Sequence, residues 1–408
     1  MLPIIDLDRA TVERDYARIR PLPNASRDLR FTAWSLYHAA KKAELACSFT
    51  TAQIDHLAQC FASEHHELFR WNGQEFRLTR NATDSYESAA QASRARLVGE
   101  GMLLLAMQQQ RYAFWDRFDL LVKRALRNQT LKHPDSVRHA QAVREQLDIG
   151  RTGKRSDFVV ENAKCQSALA EAKAGFVSPL ATPPIKPDLR KALQQLAETK
   201  PLISPQPTKT YAVGTYLREE DDTHDEGSLI AFVDPEGQDH AELTVDLPQD
   251  WVRRGNYAAW LLGMGFTEAA NALRNGVVRE GLRVALPLKQ IARHDYAYVI
   301  TGVGLNSRNL QHFLQDPLNH LPHHWADWFL FALDRREVEL NIIGLRVDVL
   351  DRVSAALTTA EPNPLLGVEP EFAIETSQFN GSVMPDGSMC GVITTGNIDE
   401  VQFREFTL

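Results

Sequence analysis

The sequence predicts a mixed α/β protein of more than one domain, and three observations carry that expectation. The chain has 408 residues, more than one core usually holds at roughly 100–200 residues per domain. Its composition, 44% hydrophobic and 24% charged, is that of an ordinary globular protein. Along its length, helical periodicity alternates with short strand-like runs bounded by turn residues. No repeat of solenoid length and no low-complexity tract interrupts this pattern.

The elements follow in order. Residues 33–46 are Ala-rich with periodic apolar positions and predict a helix, and Thr50 and Thr51 suit the N-cap of another over 53–61. Residues 68–78 have hairpin chemistry around Asn72-Gly73. A polar stretch, 80–93, then closes an N-terminal α+β unit assigned to 1–90. The next unit, 91–238, opens with a helix around Leu97–Ala106, followed by helices over 114–126 and 136–147. Its periodicity then switches to short strands at 157–160 and 168–176. A Pro-rich loop, a helix over 188–196 and a hairpin of 211–217 with 229–233 complete it. The hairpin loop, 219–226, carries six acids and reads as a solvated tip. The remainder, 239–408, predicts a helix over 251–274, a strand at 296–301, an aromatic-rich helix over 322–333, an apolar segment at 340–349 and a β-rich end. It is expected to be an α+β domain for recognition or oligomerisation.

Charge and composition exclude several classes. No apolar run approaches the roughly 18 residues of a membrane span, and the longest, 102–107, is far too short. The first residues lack the basic and apolar regions of a signal peptide. Cys47, Cys60, Cys165 and Cys390 show no C-x-x-C spacing, against a disulfide scaffold or zinc ribbon. A cytoplasmic protein without membrane contact is the expectation. The net charge of −8 argues against a polyanion spread over the whole surface.

One constellation carries chemistry. In Ala170-Glu171-Ala172-Lys173, Glu171 and Lys173 share a strand face, and Asp157 lies fourteen positions upstream at the start of the preceding strand. A hairpin would bring Asp157 beside Glu171. Two converging carboxylates repel, and a hard cation such as Mg²⁺ (or Mn²⁺) resolves the repulsion, with a nearby lysine able to orient a water. The bland alternative is a solvated strand face.

Asp157 followed by Glu171-x-Lys173 across two short strands resembles the PD-(D/E)xK nuclease superfamily. The resemblance implies a restriction-endonuclease-like central mixed sheet flanked by helices, spanning about 94–234. It implies Asp157 and Glu171 as Mg²⁺ or Mn²⁺ ligands and Lys173 as the residue that positions the attacking water. Glu100, on the first helix of the domain, would be an auxiliary catalytic ligand. Gln194 or Gln195 matches a further polar position. Ser156 replaces the proline of the motif, and the strand expected between the first helix and the hairpin is not evident in the sequence. The implied function is a metal-dependent endonuclease or phosphodiesterase acting on nucleic acid, DNA foremost, of the kind found in restriction and phage defence. A second copy of the chain, or a partner protein from the same system, would complete it. The rival expectation is a non-catalytic scaffold or DNA-binding interaction protein that keeps a nuclease-like fold.

Charge distribution fits a local nucleic-acid surface. Residues 111–155 hold eleven Lys and Arg against five Asp and Glu, a net of +6 that leaves −14 elsewhere. Lys123, Arg124, Arg127, Arg151, Lys154 and Arg155 are the candidate phosphate contacts, with Tyr112, Phe114 and Trp115 available for stacking on an unpaired base. His312, His320, His323 and His324 form a local concentration without metal-ligand spacing and read as surface or packing residues, as do His65 and His66. Cys165 has no partner motif for a catalytic thiol, and no glycine-rich phosphate loop occurs.

Overall fold

A computed structural model describes residues 1–13, 21–46, 68–70, 75–84, 88–132, 141–142, 145, 156–223, 227–234, 245–304, 339–359, 361–372, 374, 379–394 and 402–408. The chain begins with β1 (Leu2–Leu7), a short helix α1 (Arg9–Glu13), β2 (Pro21–Leu29) and helix α2 (Ala33–Leu45). A small hairpin, β3 (Phe69–Arg70) and β4 (Arg77–Leu78), precedes the long helix α3 (Ser88–Gln109). β5 (Tyr112–Arg117) runs directly into α4 (Phe118–Lys132). β6 (Phe158–Asn162) and β7 (Ser167–Val177) are followed by α5 (Ile185–Thr199), β8 (Ile203–Ser204), β9 (Lys209–Arg218) and β10 (Leu229–Val233). β11 (Val245–Asp246) leads to α6 (Trp251–Gly263) and α7 (Thr267–Asn275). The chain closes with β12 (Arg283–Ile291), β13 (His294–Gly304), β14 (Glu339–Arg346), α8 (Val347–Thr358), β15 (Asn380–Val383), β16 (Ser388–Thr394) and β17 (Phe403–Thr407).

The architecture is mixed α/β around a large mixed sheet in the order β2-β1-β10-β9-β7-β6-β5. β5, β6 and β7 pair antiparallel, β7 with β9 parallel, β9 with β10 antiparallel and β10 with β1 parallel. One face is covered by α2 and α3, whose apolar side chains join Leu2, Ile4, Val160 and Ala170 in one cluster. The other face packs against α4, α5 and α6, and this core continues through Trp260 and Val349 to the second sheet. That sheet is antiparallel throughout, in the order β15-β16-β14-β13-β12-β17. Among the described residues, no helix is long and apolar enough to cross a membrane.

Several expectations change. The helix expected over 114–126 is a strand, β5, and then α4. Tyr112, Phe114 and Trp115 are aromatic residues that suit a pleated, doubly buried strand, and all three are buried, so none presents a ring for base stacking. The unit expected at 1–90 does not follow the sheet: β1 and β2 extend the same sheet as β5–β10, in a register that pairs Ile4 with Ile230. No local pattern signals so distant a pairing. The helix over 251–274 is broken at Gly265, whose φ of 87° turns the chain between α6 and α7. The apolar segment at 340–349 divides into the end of β14 and the start of α8.

The acidic loop is only partly a solvated tip. Glu219 is buried and accepts the N–H of Asn81 at 2.8 Å and of Thr83 at 2.7 Å. Asp222 is paired with the buried Arg218 at 2.7 Å, and Arg70 and Arg80 hold Glu220 and Asp221. Arginines of β3, of the residues after β4 and of β9 thus neutralise Glu220, Asp221 and Asp222. The helices expected over 53–61, 136–147 and 322–333 lie wholly or mostly outside the described residues, as do the Asn72-Gly73 turn, His65, His66 and the histidines of 312–324.

Candidate active site

The site is built at one end of the β6–β7 hairpin. The register pairs Phe158 with Ala170, and its continuation sets Asp157 opposite Glu171. The two residues are cross-linked through the backbone: Asp157 N–H donates to Glu171 Oε2 at 2.9 Å, and Ala172 N–H donates to Asp157 Oδ2 at 2.9 Å. Glu171 is 1% exposed, so the solvated-face alternative does not describe it. Lys173, two residues on and on the same face, donates from Nζ to Glu171 Oε1 and, at 2.7 Å, to Gln195 Oε1 of α5. Of the two glutamines that sequence left open, Gln195 is the one that contacts Lys173; Gln194 instead donates to Glu198 at 2.8 Å on the exposed side of the helix.

Glu100 reaches the site from α3 because the helix lies unusually close to its neighbours. A Cβ on Gly99 would overlap that of Ala174 on β7, and one on Gly101 would crowd Ala40 of α2 at 3.1 Å. The two glycines flanking Glu100 thus let α3 sit down between β7 and α2. Glu100 is buried and bound to two guanidinium groups, Arg96 at 2.9 Å and Arg117. To serve as an auxiliary metal ligand it would have to exchange an arginine for the ion. Arg117, at the end of β5, also donates to the carbonyl of Ala43 at 3.3 Å and lies 4.9 Å over the Phe158 ring. Sequence reasoning passed over Arg117; its position in Asp116-Arg117, a charged pair set between Trp115 and Phe118, was the available signal.

The electrostatics follow from burial. Burial raises the Asp157 carboxyl above its usual range, the Glu100 charge adds to this, and the Ala172 N–H, Arg117 and Lys173 oppose it. Glu171 is pushed well above the carboxylate range, first by burial and then by the Asp157 charge, with the Lys173 ammonium in opposition. On the α5 side, Tyr216 donates to Asp188 at 3.1 Å, and burial raises that carboxyl as well. The Tyr216 ring lies over Gly214, the register partner of Lys173, where any Cβ would collide with it.

The buried Glu171 and partly buried Asp157 carboxylates, each disfavoured as an anion by desolvation, are a donor set that suits one hard divalent cation. Among the described residues, no three Asp, Glu, His or Cys side chains gather into a group able to hold an ion alone. Mg²⁺ or Mn²⁺ held by Asp157 and Glu171 would therefore complete its shell with water and substrate oxygens, as Mg²⁺ ordinarily does.

The candidate phosphate contacts divide. Lys123 and Arg127 of α4 are exposed. Arg124, between them, is a correction: it is 8% exposed and paired with the buried Asp116, so its guanidinium serves the interior. Arg151, Lys154 and Arg155 lie outside the described residues. Cys165, in the β6–β7 turn, is exposed, and its sulfur accepts from Arg253 at 3.4 Å. No family model, no curated protein and no solved structure matches the chain, so the geometry of the site alone carries its functional reading.

Proposed function

We propose that the chain is a metal-dependent endonuclease of the PD-(D/E)xK, restriction-endonuclease-like kind, hydrolysing phosphodiester bonds of nucleic acid and of DNA foremost. The observation that carries the proposal is the convergence of Asp157, Glu171 and Lys173 on one strand end, with Glu100 supplying charge from α3. The element order supports it. α3, β5, β6, β7, α5 and β9 come in the order the resemblance implies, with α4 inserted between β5 and β6 and β8 between α5 and β9, and β5 is the candidate for the strand that sequence left unidentified.

In this reading Asp157 and Glu171 hold Mg²⁺ or Mn²⁺. The bound ion supplies Lewis acidity, polarising the scissile phosphate and lowering the pKa of a water. Lys173, fixed between Glu171 and Gln195, orients the attacking water and offsets charge that develops on the phosphate. Exposed Lys123 and Arg127 contribute phosphate contacts. Restriction or phage defence, and assembly with a second copy or a partner protein, belong to the proposal by family analogy alone.

The test is cleavage of plasmid, linear and single-stranded DNA and of RNA, with and without Mg²⁺, by wild type and Glu171→Gln. Mg²⁺-dependent cleavage lost in the variant is the expected result, and full activity in Glu171→Gln rejects the assignment. A second reading, a non-catalytic scaffold or DNA-binding protein with this fold, is favoured by one observation: Glu100 and Glu171 already have cationic partners within the chain. Titration with Mn²⁺ separates the two, since the scaffold needs no ion at Asp157 and Glu171.

A further inference from the structure

Helix α3 is followed by Arg111 at a φ of 67°, the left-handed conformation that glycine ordinarily supplies after a helix C-terminus. An arginine kept where glycine would be less strained points to a use for its side chain. The Arg111 guanidinium is braced 4.9 Å over the ring of Phe372. Both residues line a cavity of about 380 Å³, together with Arg30, Ser35, Gln108 and Gln109. Among the described residues no acidic side chain lines it. Among the described residues neither Arg30 nor Arg111 has a carboxylate partner, and the buried Nε2 of Gln108 finds no acceptor. Two guanidinium groups and an unused amide donor around one concavity lack only an acceptor-rich ligand.

We propose that this cavity binds a phosphate-bearing small molecule of mononucleotide size, with Arg30 and Arg111 taking the phosphate and Gln108 a polar edge of its body. The volume falls within the range of small-molecule pockets, roughly 300–1,000 Å³. The cavity is separate from the candidate active site. Gln108 lies eight residues beyond Glu100 on α3, roughly 12 Å along the axis. Arg111 precedes the end of β5 opposite to Arg117. The inference therefore stands whether or not the chain is a nuclease.

Adenosine 5′-monophosphate serves as the probe, titrated calorimetrically into the full chain, with adenosine as the phosphate-free control. One saturable site is expected, with adenosine weaker by about tenfold or more, as loss of charge-assisted hydrogen bonds implies. Arg111→Gly removes the guanidinium while suiting the left-handed backbone, so it should fold with a wild-type Tm and lose the binding. Arg30→Ala should weaken binding by at least about tenfold with its far-ultraviolet circular dichroism unchanged. The proposal is overturned if the nucleotide shows no saturable binding, if adenosine binds equally well, or if both variants bind as wild type does.

Discussion

Glu171 accepts the backbone N–H of Asp157 at 2.9 Å, and this bond fixes a buried and a partly buried acid at one corner of the β6–β7 hairpin. Both carboxyls are raised in the folded chain, chiefly by burial. Their contribution to stability is therefore fully present below their unfolded pKa values and is lost as pH rises through the raised folded values. Asp157→Asn removes one charge, and its amide oxygen can still accept the Ala172 N–H. At neutral pH without metal its Tm should equal or exceed that of wild type, with a flatter pH dependence. Mn²⁺ at a hundredfold excess over Kd should stabilise wild type by about 2.7 kcal/mol and leave the variant unchanged. Scanning fluorimetry across pH, with and without Mn²⁺, measures both; a wild type indifferent to Mn²⁺ contradicts the metal site.

Gln195 accepts from the Lys173 ammonium at 2.7 Å, as a second partner beside Glu171. Gln195→Leu keeps the volume and removes the acceptor, a loss of roughly 1.5–3 kcal/mol for a hydrogen bond to a charged group. In the nuclease reading kcat should fall about tenfold or more with little change in KM, because Lys173 is misplaced while substrate contacts stay intact. Gln195→Glu restores an acceptor and should recover part of the rate. Gln194→Leu, on the exposed side of α5 where the wild-type side chain donates to Glu198, should in the nuclease reading cleave as wild type does. Equal rates for all three variants would remove Gln195 from the machinery.

The β6–β7 hairpin was legible because its signal is local: alternation fixed the shared face of Glu171 and Lys173, and a short turn brought Asp157 alongside. The β9–β10 hairpin and α5 were legible for the same reason. β5 was misread because Phe114-Trp115 continues smoothly into the helical 118–132 stretch, and a short apolar run has no distinguishing period. The pairing of β1 with β10 was invisible, since Ile4 and Ile230 are far apart in sequence. The burial of Arg124 was hidden for another reason. A basic cluster on a helix shows charge, and only the packing of α4 against Asp116 reveals which member turns inward.

That inward turn gives a discriminating experiment. Lys123→Glu with Arg127→Glu alters only exposed positions of α4. If these residues contact phosphates, the double variant binds DNA more weakly and its salt slope falls by roughly 2, about one per contact. Arg124→Ala should instead leave the salt slope unchanged and lower Tm, because Asp116 is left buried without its partner. Fluorescence anisotropy at several salt concentrations, with a melting curve for each variant, checks the division of labour.

Close packing at Gly99 yields a prediction that joins stability to the site. Gly99→Ala places a methyl against the Ala174 side chain, so α3 must lift from β7. Overpacking of this kind costs roughly 1–3 kcal/mol, partly offset by the better helix propensity of alanine. Lifting α3 also draws Glu100 away from Asp157 and Arg117. Denaturant midpoints should fall, and in the nuclease reading activity should drop further than the loss of folded protein explains. Ala174→Gly in the same chain reopens the space and should restore activity.

The two sheets are bolted together by a buried ion pair, and their unfolding should show it. Lys42 of α2 is fully buried and paired with Asp386, which also accepts from Asn256 at 2.7 Å and Ser388 at 2.6 Å. His38 lies beside this cluster, 3.0 Å from Ser388, and burial lowers its imidazole to about 3, so it stays neutral. Burial alone would raise the Asp386 carboxyl, but the Lys42 ammonium with Ser388 and Asn256 outweighs it and holds the group below its ordinary value. The stability it confers is therefore present above the unfolded pKa and lost as pH falls through the lowered folded value. Lys42→Met leaves the Asp386 charge uncompensated in the interior, at a cost of about 3–5 kcal/mol. Lys42→Met with Asp386→Asn should recover much of that cost, and this coupling is what a double-mutant cycle reads. Since the cluster joins α2 and α6 to the β15–β16 turn, wild type should melt in one transition, and Lys42→Met should lower that transition as a whole. Separate melting of the two sheets in wild type would show that the pair does not fasten them.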